Sequence, residues 1–319
     1  MNDEEIIRLI NLGLSANEIC LKLGLSNKQL YYRLSLLKIN GYDLRRKYYS
    51  DGEITYYLKK DNDEYHDNVS ILTSPKDTQF KAIVISDLHI SSVLERIDLI
   101  NDVYDYCIKE NINIIINAGD LVDGTFGKRR KKYYNSFEQI DYLTKIYPFD
   151  KNILNFVCLG DHDYSLKKVY GQDIKIALEN RRHDIIPLGY GTGILEVKND
   201  EIIVRHKCND INCDVSFNKK LILVGHCHQA KTIIGAGDVE IFVPSLSNIL
   251  LSENNQLAPS MIKMTLSFIN GYFKTGVFEH LLLKDKIYKA SESQYELCQF
   301  KNTNVDYIKN EEKRKKLTL

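Results

Sequence analysis

The stretch Ala82-Ile83-Val84-Ile85-Ser86-Asp87-Leu88-His89 carries an apolar run straight into a carboxylate and an imidazole two positions apart. A short run rich in Ile and Val reads as a buried strand, and α/β sheets converge their loops into a site at strand ends. The same arrangement recurs down the chain. Ile112 to Ala118 leads into Gly119-Asp120-Leu121-Val122-Asp123, and Asn155 to Leu159 leads into Gly160-Asp161-His162-Asp163. Ile202 to Arg205 then leads into His206, and Leu221 to Val224 into Gly225-His226-Cys227-His228. A single D-x-H or H-x-H is a common accident, whereas an ordered set with matching strand context is not. With an amphipathic stretch from Val93 to Glu110 between the first two strands, the alternation predicts an α/β layered domain.

The bulk numbers are ordinary for a soluble globular protein. At 319 residues the chain is long enough for one sizeable core and a small extra domain. No segment approaches the roughly 20 apolar residues of a membrane span. The start, Met1-Asn2-Asp3-Glu4-Glu5, lacks the pattern of a secretory signal. Seven scattered cysteines suit free thiols in a reducing cytosol, so a cytoplasmic location is expected. Cys208 and Cys213 lie near the histidine blocks, but no C-x-x-C pair is present to build a zinc knuckle. With 43 basic and 43 acidic residues there is no global field to attract nucleic acid, and any attraction must come from local patches.

Residues 1–60 read as such a patch. Ile6, Ile7, Leu9, Ile10 and Leu12 recur with helical spacing before Gly13. Ser15 and Glu18 have capping-box spacing ahead of a second helix, and Ser26 can cap a third that turns Leu30, Leu34 and Leu37 inward. Tyr42 to Tyr49 and Glu53 to Lys60 then flank Ser50-Asp51-Gly52, a hairpin signal. This stretch resembles bacterial winged-helix domains in Gly13-Leu14-Ser15, Glu18-Ile19 and Leu23 to Ser26. The resemblance implies DNA binding: the third helix would present Lys28, Tyr31 and Arg33 to a major groove, and Arg45, Arg46 and Lys47 of the wing would meet phosphates. A linker is expected over 61–79, with Lys59 to Asn68 polar and Pro75 a breaker.

The five motif blocks resemble the calcineurin-like metallophosphoesterase superfamily over residues 80–288. That resemblance implies a four-layer α/β/β/α sandwich, preceded here by the small winged-helix domain, with two divalent metal ions at the strand ends. Carried over position by position, Asp87, His89, Asp120 and His228 would hold the first ion, and Asp120, Asp161, His206 and His226 the second, with Asp120 shared. Mixed carboxylate and imidazole ligands suit manganese first, with Fe or Zn²⁺ also possible partners, better than Mg²⁺ or Ca²⁺. His162 would donate a proton to the leaving oxygen or stabilise charge there, and Asp123 would orient His162 through a hydrogen bond. Family members usually carry Asn where Asp161 stands, so an intact site with altered metal preference is expected.

The substrate is less legible. Protein phosphatases of the superfamily show Arg after the second Asp of G-D-x-x-D and G-N-H-E in the third block, where this chain has Gly124 and Gly160-Asp161-His162-Asp163. Both departures point away from protein phosphatases, and G-[N/D]-H-D is similar to the pattern in DNA-repair nucleases of the superfamily and in its small-molecule phosphodiesterases. The run Lys128-Arg129-Arg130-Lys131-Lys132-Tyr133-Tyr134 could track a nucleic-acid backbone beside the site, or could be a solvated helix start. The expected function is therefore a phosphodiesterase acting on DNA. The alternatives are an enzyme for small phosphoesters and a DNA-binding regulator whose phosphoesterase fold senses a ligand. Asn270-Gly271 predicts a late hairpin, His183 reads as a surface loop residue, and 289–319 reads as a polar tail.

Overall fold

Ser15 accepts the amide N–H of Glu18 at 3.3 Å while the Glu18 carboxylate accepts the Ser15 amide at 2.8 Å, and Ser26 with Gln29 repeats the exchange. These reciprocal caps satisfy amides that a helix start otherwise leaves unpaired. They open α2 (Ala16–Leu23) and α3 (Asn27–Ile39), which follow α1 (Asp3–Asn11) as the spacing predicts. A hairpin of β1 (Leu44–Tyr49) and β2 (Ile54–Leu58) completes this N-terminal unit. The computed structural model describes residues 3–59, 69–126, 131–133, 135–206, 221–234, 238–248, 258–284 and 286–297.

From there the chain runs β3 (Val69–Leu72), β4 (Gln79–Ile85), α4 (Ile97–Glu110), β5 (Ile114–Asn117), α5 (Ser136–Ile146) and β6 (Leu154–Leu159). Then come α6 (Asp161–Tyr170), α7 (Ile174–Arg181), β7 (Ile185–Tyr190), β8 (Thr192–Val197), β9 (Asp200–Arg205) and β10 (Leu221–Val224). The last described strands are β11 (Lys231–Ile234), β12 (Val239–Phe242), β13 (Ser260–Ile269), β14 (Tyr272–Leu283) and β15 (Ile287–Glu296). One sheet has the order β15-β14-β13-β4-β5-β6-β7 and the other β11-β12-β10-β9-β8-β3-β1-β2. Strands β4, β5, β6 and β7 are mutually parallel, as are β9, β10 and β12.

Alternate residues of β4 separate two cores. Ala82 and Val84 join Ile116, Phe156, Leu195, Val204 and Leu223 between the sheets, while Ile83 and Ile85 join Leu99, Val103, Leu143, Leu166 and Leu178 of α4 to α7. The period-2 alternation of a strand buried on both faces explains why it reads as one continuous apolar run. The helix layer and the two sheets are thus in place. On the far face of the second sheet, Ile203, Ile222, Val224 and Phe242 form a small cluster, and no helix of the described residues covers it.

The domain boundaries differ from the expectation in two places. The hairpin does not stand apart as a wing: β1 pairs in parallel with β3, and β3 with β8, so both hairpin strands belong to the second sheet. Tyr48 of β1 meets Phe156 of β6 edge-on at 5.6 Å, and the buried Ile71 lies inside the expected 61–79 linker. A strand edge with free amide and carbonyl groups finds a partner where one is available, and short flanking polar stretches hid it. Likewise residues 289–296, expected in the tail, form β15. That strand is polar because it is an exposed sheet edge. No described helix is long and apolar enough to cross a membrane.

Candidate metal centre

Each of the five motif blocks begins where a parallel strand ends: Asp87 after β4, Asp120 after β5, Asp161 after β6, His206 after β9, and His226 with His228 after β10. The two sheets therefore contribute to one point. Among the described residues their ligand atoms fall into three groups, Asp87 with His89 and His228, Asp120 with Asp161, His206 and His226, and His89 with Asp123 and His162. The first holds three of the four residues of one expected set, without Asp120, and the second holds all four of the other. His206 Nε2 lies 3.2 Å from Asp120 Oδ2 and 3.3 Å from Asp161 Oδ1, and His226 Nδ1 lies 3.5 Å from Asp161 Oδ1. His228 Nε2 is 3.1 Å and His89 Nε2 3.9 Å from Asp87 Oδ1. Asp120 Oδ2 is also 3.7 Å from His89 Nε2, so one oxygen faces the first two groups, as a shared ligand must.

The donor set fits a pair of cations. Asp87 Oδ1, His89 Nε2, Asp161 Oδ1 and His206 Nε2 are buried atoms without a hydrogen-bond partner, and they face one another in two pairs, Asp87 with His89 and Asp161 with His206. Buried polar atoms are normally satisfied, and a cluster of lone pairs without donors is what a metal ion requires. Burial pushes the His89 imidazole down, toward the neutral form that can coordinate. Burial also opposes charge on Asp87 and Asp161, yet His228 beside Asp87, and His206 and His226 beside Asp161, hold both carboxyls well below the usual range. His206 Nδ1 lies 2.7 Å from the Ala118 carbonyl, an oxygen that can only accept, so Nδ1 carries the hydrogen and Nε2 is the ligand atom.

The backbone is bent to suit this geometry. Among the described residues nine non-glycine positions have positive φ, and five of them are Asp87, His89, Asp120, His226 and His228. Strain of that kind persists where surrounding structure over-determines it, and it concentrates at functional sites. Glycines give the neighbouring room: a Cβ on Gly160 would come within 2.1 Å of Asp120 Oδ1, and one on Gly119 within 2.1 Å of the His206 ring. The floor of the site is sealed, with Asp87 and His206 fully buried, while His226 at 43% and Asp161 at 25% side-chain exposure face the opening. His162 stands at that opening, its ring edge-on to His89 at 4.5 Å and to the half-exposed Phe126 at 5.3 Å.

Asp123 does something other than expected. His162 Nδ1 lies 2.7 Å from the main-chain carbonyl of Asp123, and the Asp123 carboxylate turns away to His89 Nδ1 at 3.4 Å and to Lys131 Nζ. The expected hydrogen bond from the Asp123 side chain to His162 is replaced by one from its backbone. A residue at the end of a tight loop presents carbonyl and side chain in different directions, and spacing alone does not say which one faces a neighbour.

Sequence reasoning passed over the groups that brace these loops. Asp163, fully buried, accepts the amides of Leu121 at 3.2 Å, Val122 at 3.0 Å and Gly160 at 2.9 Å, locking the Asp120 loop to the start of α6. Burial and the nearby Asp120 push its carboxyl up to about 7. Gln139 clamps both the amide and the carbonyl of Gly124 at 3.0 Å. Ser245 Oγ donates to the Asp87 carbonyl at 2.9 Å. Asp163 had a signal, its place three residues past Gly160 at a helix start; the other two come from distant chain and had none.

The expected DNA contacts fare unevenly. Tyr31 is buried and stacks on His183 with ring centroids 4.4 Å apart, and Arg46 donates to the Glu179 carbonyl at 2.8 Å. Neither can reach DNA, because α3 and β1 are docked on α7, where Ser35 also donates to the Asn180 carbonyl at 3.2 Å. His183 is accordingly an interior residue and not a surface one, and it also meets the Tyr56 hydroxyl at 2.8 Å. Arg33 pairs with Asp3 and Arg45 with Asp43, while Lys28 and Lys47 are exposed. Lys128, Arg129 and Arg130 lie outside the described residues, as do Cys208 and Cys213. Among the described residues, Cys20, Cys107, Cys158 and Cys227 form no disulfide.

A family profile described as Calcineurin-like phosphoesterase matches residues 80–244. No curated protein matches the sequence. Among solved structures, Vacuolar Protein Sorting 29 from Cryptosporidium parvum is similar at 14% identity and a TM-score of 0.40, covering 69% of this chain and 100% of that one. YfcE, a phosphoesterase from E. coli, is similar at 13% identity and a TM-score of 0.41, covering 68% of this chain and 100% of that one. An archaeal phosphodiesterase is similar at 13% identity and a TM-score of 0.39, covering 64% of this chain and 99% of that one.

Proposed function

Because the chain belongs to the calcineurin-like phosphoesterase family and is a metal-dependent hydrolase, we propose that its two-metal centre hydrolyses phosphodiester bonds, with a DNA strand as the substrate. Two bound divalent ions, manganese first among the candidates, would activate water and take up charge on the phosphoryl oxygens. Asp87, His89, His228 and Asp120 would hold one and Asp120, Asp161, His206 and His226 the other. His162, its Nδ1 hydrogen held by the Asp123 carbonyl, would as the imidazolium pass its Nε2 proton to the departing oxygen at the mouth of the site.

The observation that carries the diester reading is Gly124. Protein phosphatases of the family place Arg there, a fork suited to the terminal oxygens of a phosphomonoester. Here Gly124 has φ of +60°, and a Cβ would lie 2.2 Å from the His162 carbonyl. The position excludes any side chain, so it contributes no cation to a dianionic monoester. A diester carries one negative charge, and the alkoxide that it expels would take a proton from His162 to leave as an alcohol. DNA is supported by the exposed Lys28 and Lys47 on the N-terminal unit and by the basic Lys128 to Arg130 run after the second motif. Tyr31 and Arg46 take no part.

Manganese-loaded protein should hydrolyse bis-p-nitrophenyl phosphate faster than p-nitrophenyl phosphate, and single-stranded or duplex DNA should be cut. Preference for the monoester would overturn the diester assignment. Diester turnover with no action on DNA would move the substrate to a nucleotide or other small phosphoester.

A further inference from the structure

The Asp123 carboxylate bridges two partners. Asp123 and Lys131 are buried, with side-chain exposures of 1% and 5%. Lys131 Nζ contacts Asp123 Oδ2, and it donates to the Asp123 carbonyl at 3.1 Å and to the Phe126 carbonyl at 3.0 Å. The other carboxylate oxygen, Oδ1, faces His89 Nδ1 at 3.4 Å; both are buried atoms without a hydrogen-bond partner, so a small turn of the ring would let each satisfy the other. A buried lysine with three oxygen acceptors is a fixed element of the loop, because its charge is compensated and its donors are occupied.

The backbone around Lys131 is also fixed, and against the loop that follows His89. Lys131 bridges Ser92 in antiparallel fashion, and the Lys132 amide donates to the Ser91 carbonyl at 2.7 Å. Ser91 Oγ exchanges hydrogen bonds with the amide and carbonyl of Tyr133, both at 3.1 Å. Lys132 Nζ reaches Glu95, which Tyr142 also contacts at 2.7 Å. The two loops that bring Asp87, His89 and Asp120 to the site are thus joined through residues 131–133.

We infer that Lys131 is a positioning residue for the first metal site: through the Asp123 carboxylate it holds the His89 ring with its hydrogen on Nδ1 and Nε2 toward Asp87 and Asp120. The reasoning is local. Asp123 needs a cation to remain a buried, ordered carboxylate, and Lys131 takes Oδ2 so that Oδ1 is left for His89. Imidazole is a ligand only through the nitrogen without a hydrogen, so whatever decides the tautomer decides coordination. The second group is held otherwise, His206 by the Ala118 carbonyl, so Lys131 governs one site and not its neighbour.

The inference rests on the two-metal reading, and one titration separates the two claims. Metal-free full-length protein is titrated with Mn²⁺ calorimetrically, and the coupled two-ion signal is followed by electron paramagnetic resonance. Wild type should bind two ions; binding of fewer overturns the two-metal reading itself. In Lys131→Met the affinity of one site should fall by about 10- to 100-fold, the usual effect of losing an outer partner, while the other is unchanged. The resonance should then become that of an isolated ion at one equivalent, and Lys131→Arg should restore both readouts. Unchanged affinities, or equal loss at both sites in a folded variant, would overturn the role of Lys131. Circular dichroism reports folding, and Lys131→Gln, which retains donors without charge, is the second variant should Lys131→Met not fold.

Discussion

His162 is held by the main-chain carbonyl of Asp123 at 2.7 Å, while the Asp123 carboxylate serves His89. The proposed proton donor and a candidate metal ligand thus lie against different atoms of one residue. Substitutions at the two positions should separate. His162→Ala should lower kcat by about 10²- to 10⁴-fold with metal content unchanged. Asp123→Asn should instead weaken metal binding by about 10- to 100-fold, with kcat at saturating metal changed far less. Parallel metal analysis and steady-state kinetics on the two variants check this; loss of metal in His162→Ala would contradict it.

Asp163 carries three amides of the metal-bearing loops on one carboxylate. Each buried donor left without an acceptor costs about 1–3 kcal/mol, so Asp163→Ala should lose roughly 3–6 kcal/mol of stability, allowing for partial relaxation. Asp163→Asn keeps one acceptor oxygen and should lose less. Urea unfolding of the metal-free variants gives the number, and a loss below about 1 kcal/mol would mean that the loops find other partners.

The histidines of the second group set a pH dependence. The Asp161 carboxylate raises His226, and for His206 burial is outweighed by Asp120 and Asp161, so both are raised in the metal-free fold. A raised folded-state value means stability fully present below the unfolded value, about 6.5, and lost as pH rises through the folded one. Metal-free protein should therefore lose Tm from near neutrality upward. With manganese the sign reverses, because the ligands must be deprotonated and binding releases protons. Thermal melts against pH with and without chelator test the pair of slopes.

Tyr31 lies flat on His183, so truncating it removes packing between the N-terminal unit and α7 without removing a DNA contact. Tyr31→Ala should cost about 3–5 kcal/mol of stability, as for other large buried side chains, and leave the salt dependence of DNA binding unchanged. Lys28→Ala and Lys47→Ala should do the opposite, each lowering the slope of log K against log salt by about 1 with little change in Tm. A fluorescence-anisotropy salt titration of the full-length variants distinguishes the two patterns.

Much of the centre was legible because coordination chemistry demands particular side chains at strand ends. Asp87, Asp120, Asp161 and the histidines of β9 and β10 could be placed in order, each with its strand. The three N-terminal helices were legible for a similar reason, since Ser15 and Ser26 cap locally, within three residues. The hairpin's destination was not. Pairing of β1 with β3 and β8 depends on an edge far along the chain, and Tyr48 gives no local sign that Phe156 will meet it.

The same division runs through the site. Sequence alone determined which carboxylates and imidazoles stand at the strand ends as candidate ligands, because the ligand types and their strand context are local and scarce. Tertiary structure decided that Asp123 serves His89, that Lys131 holds Asp123, and that Tyr31 and Arg46 face α7 instead of solvent. Those outcomes depend on where a carbonyl, a carboxylate or a helix face points once distant segments pack together, and residue identity does not encode direction.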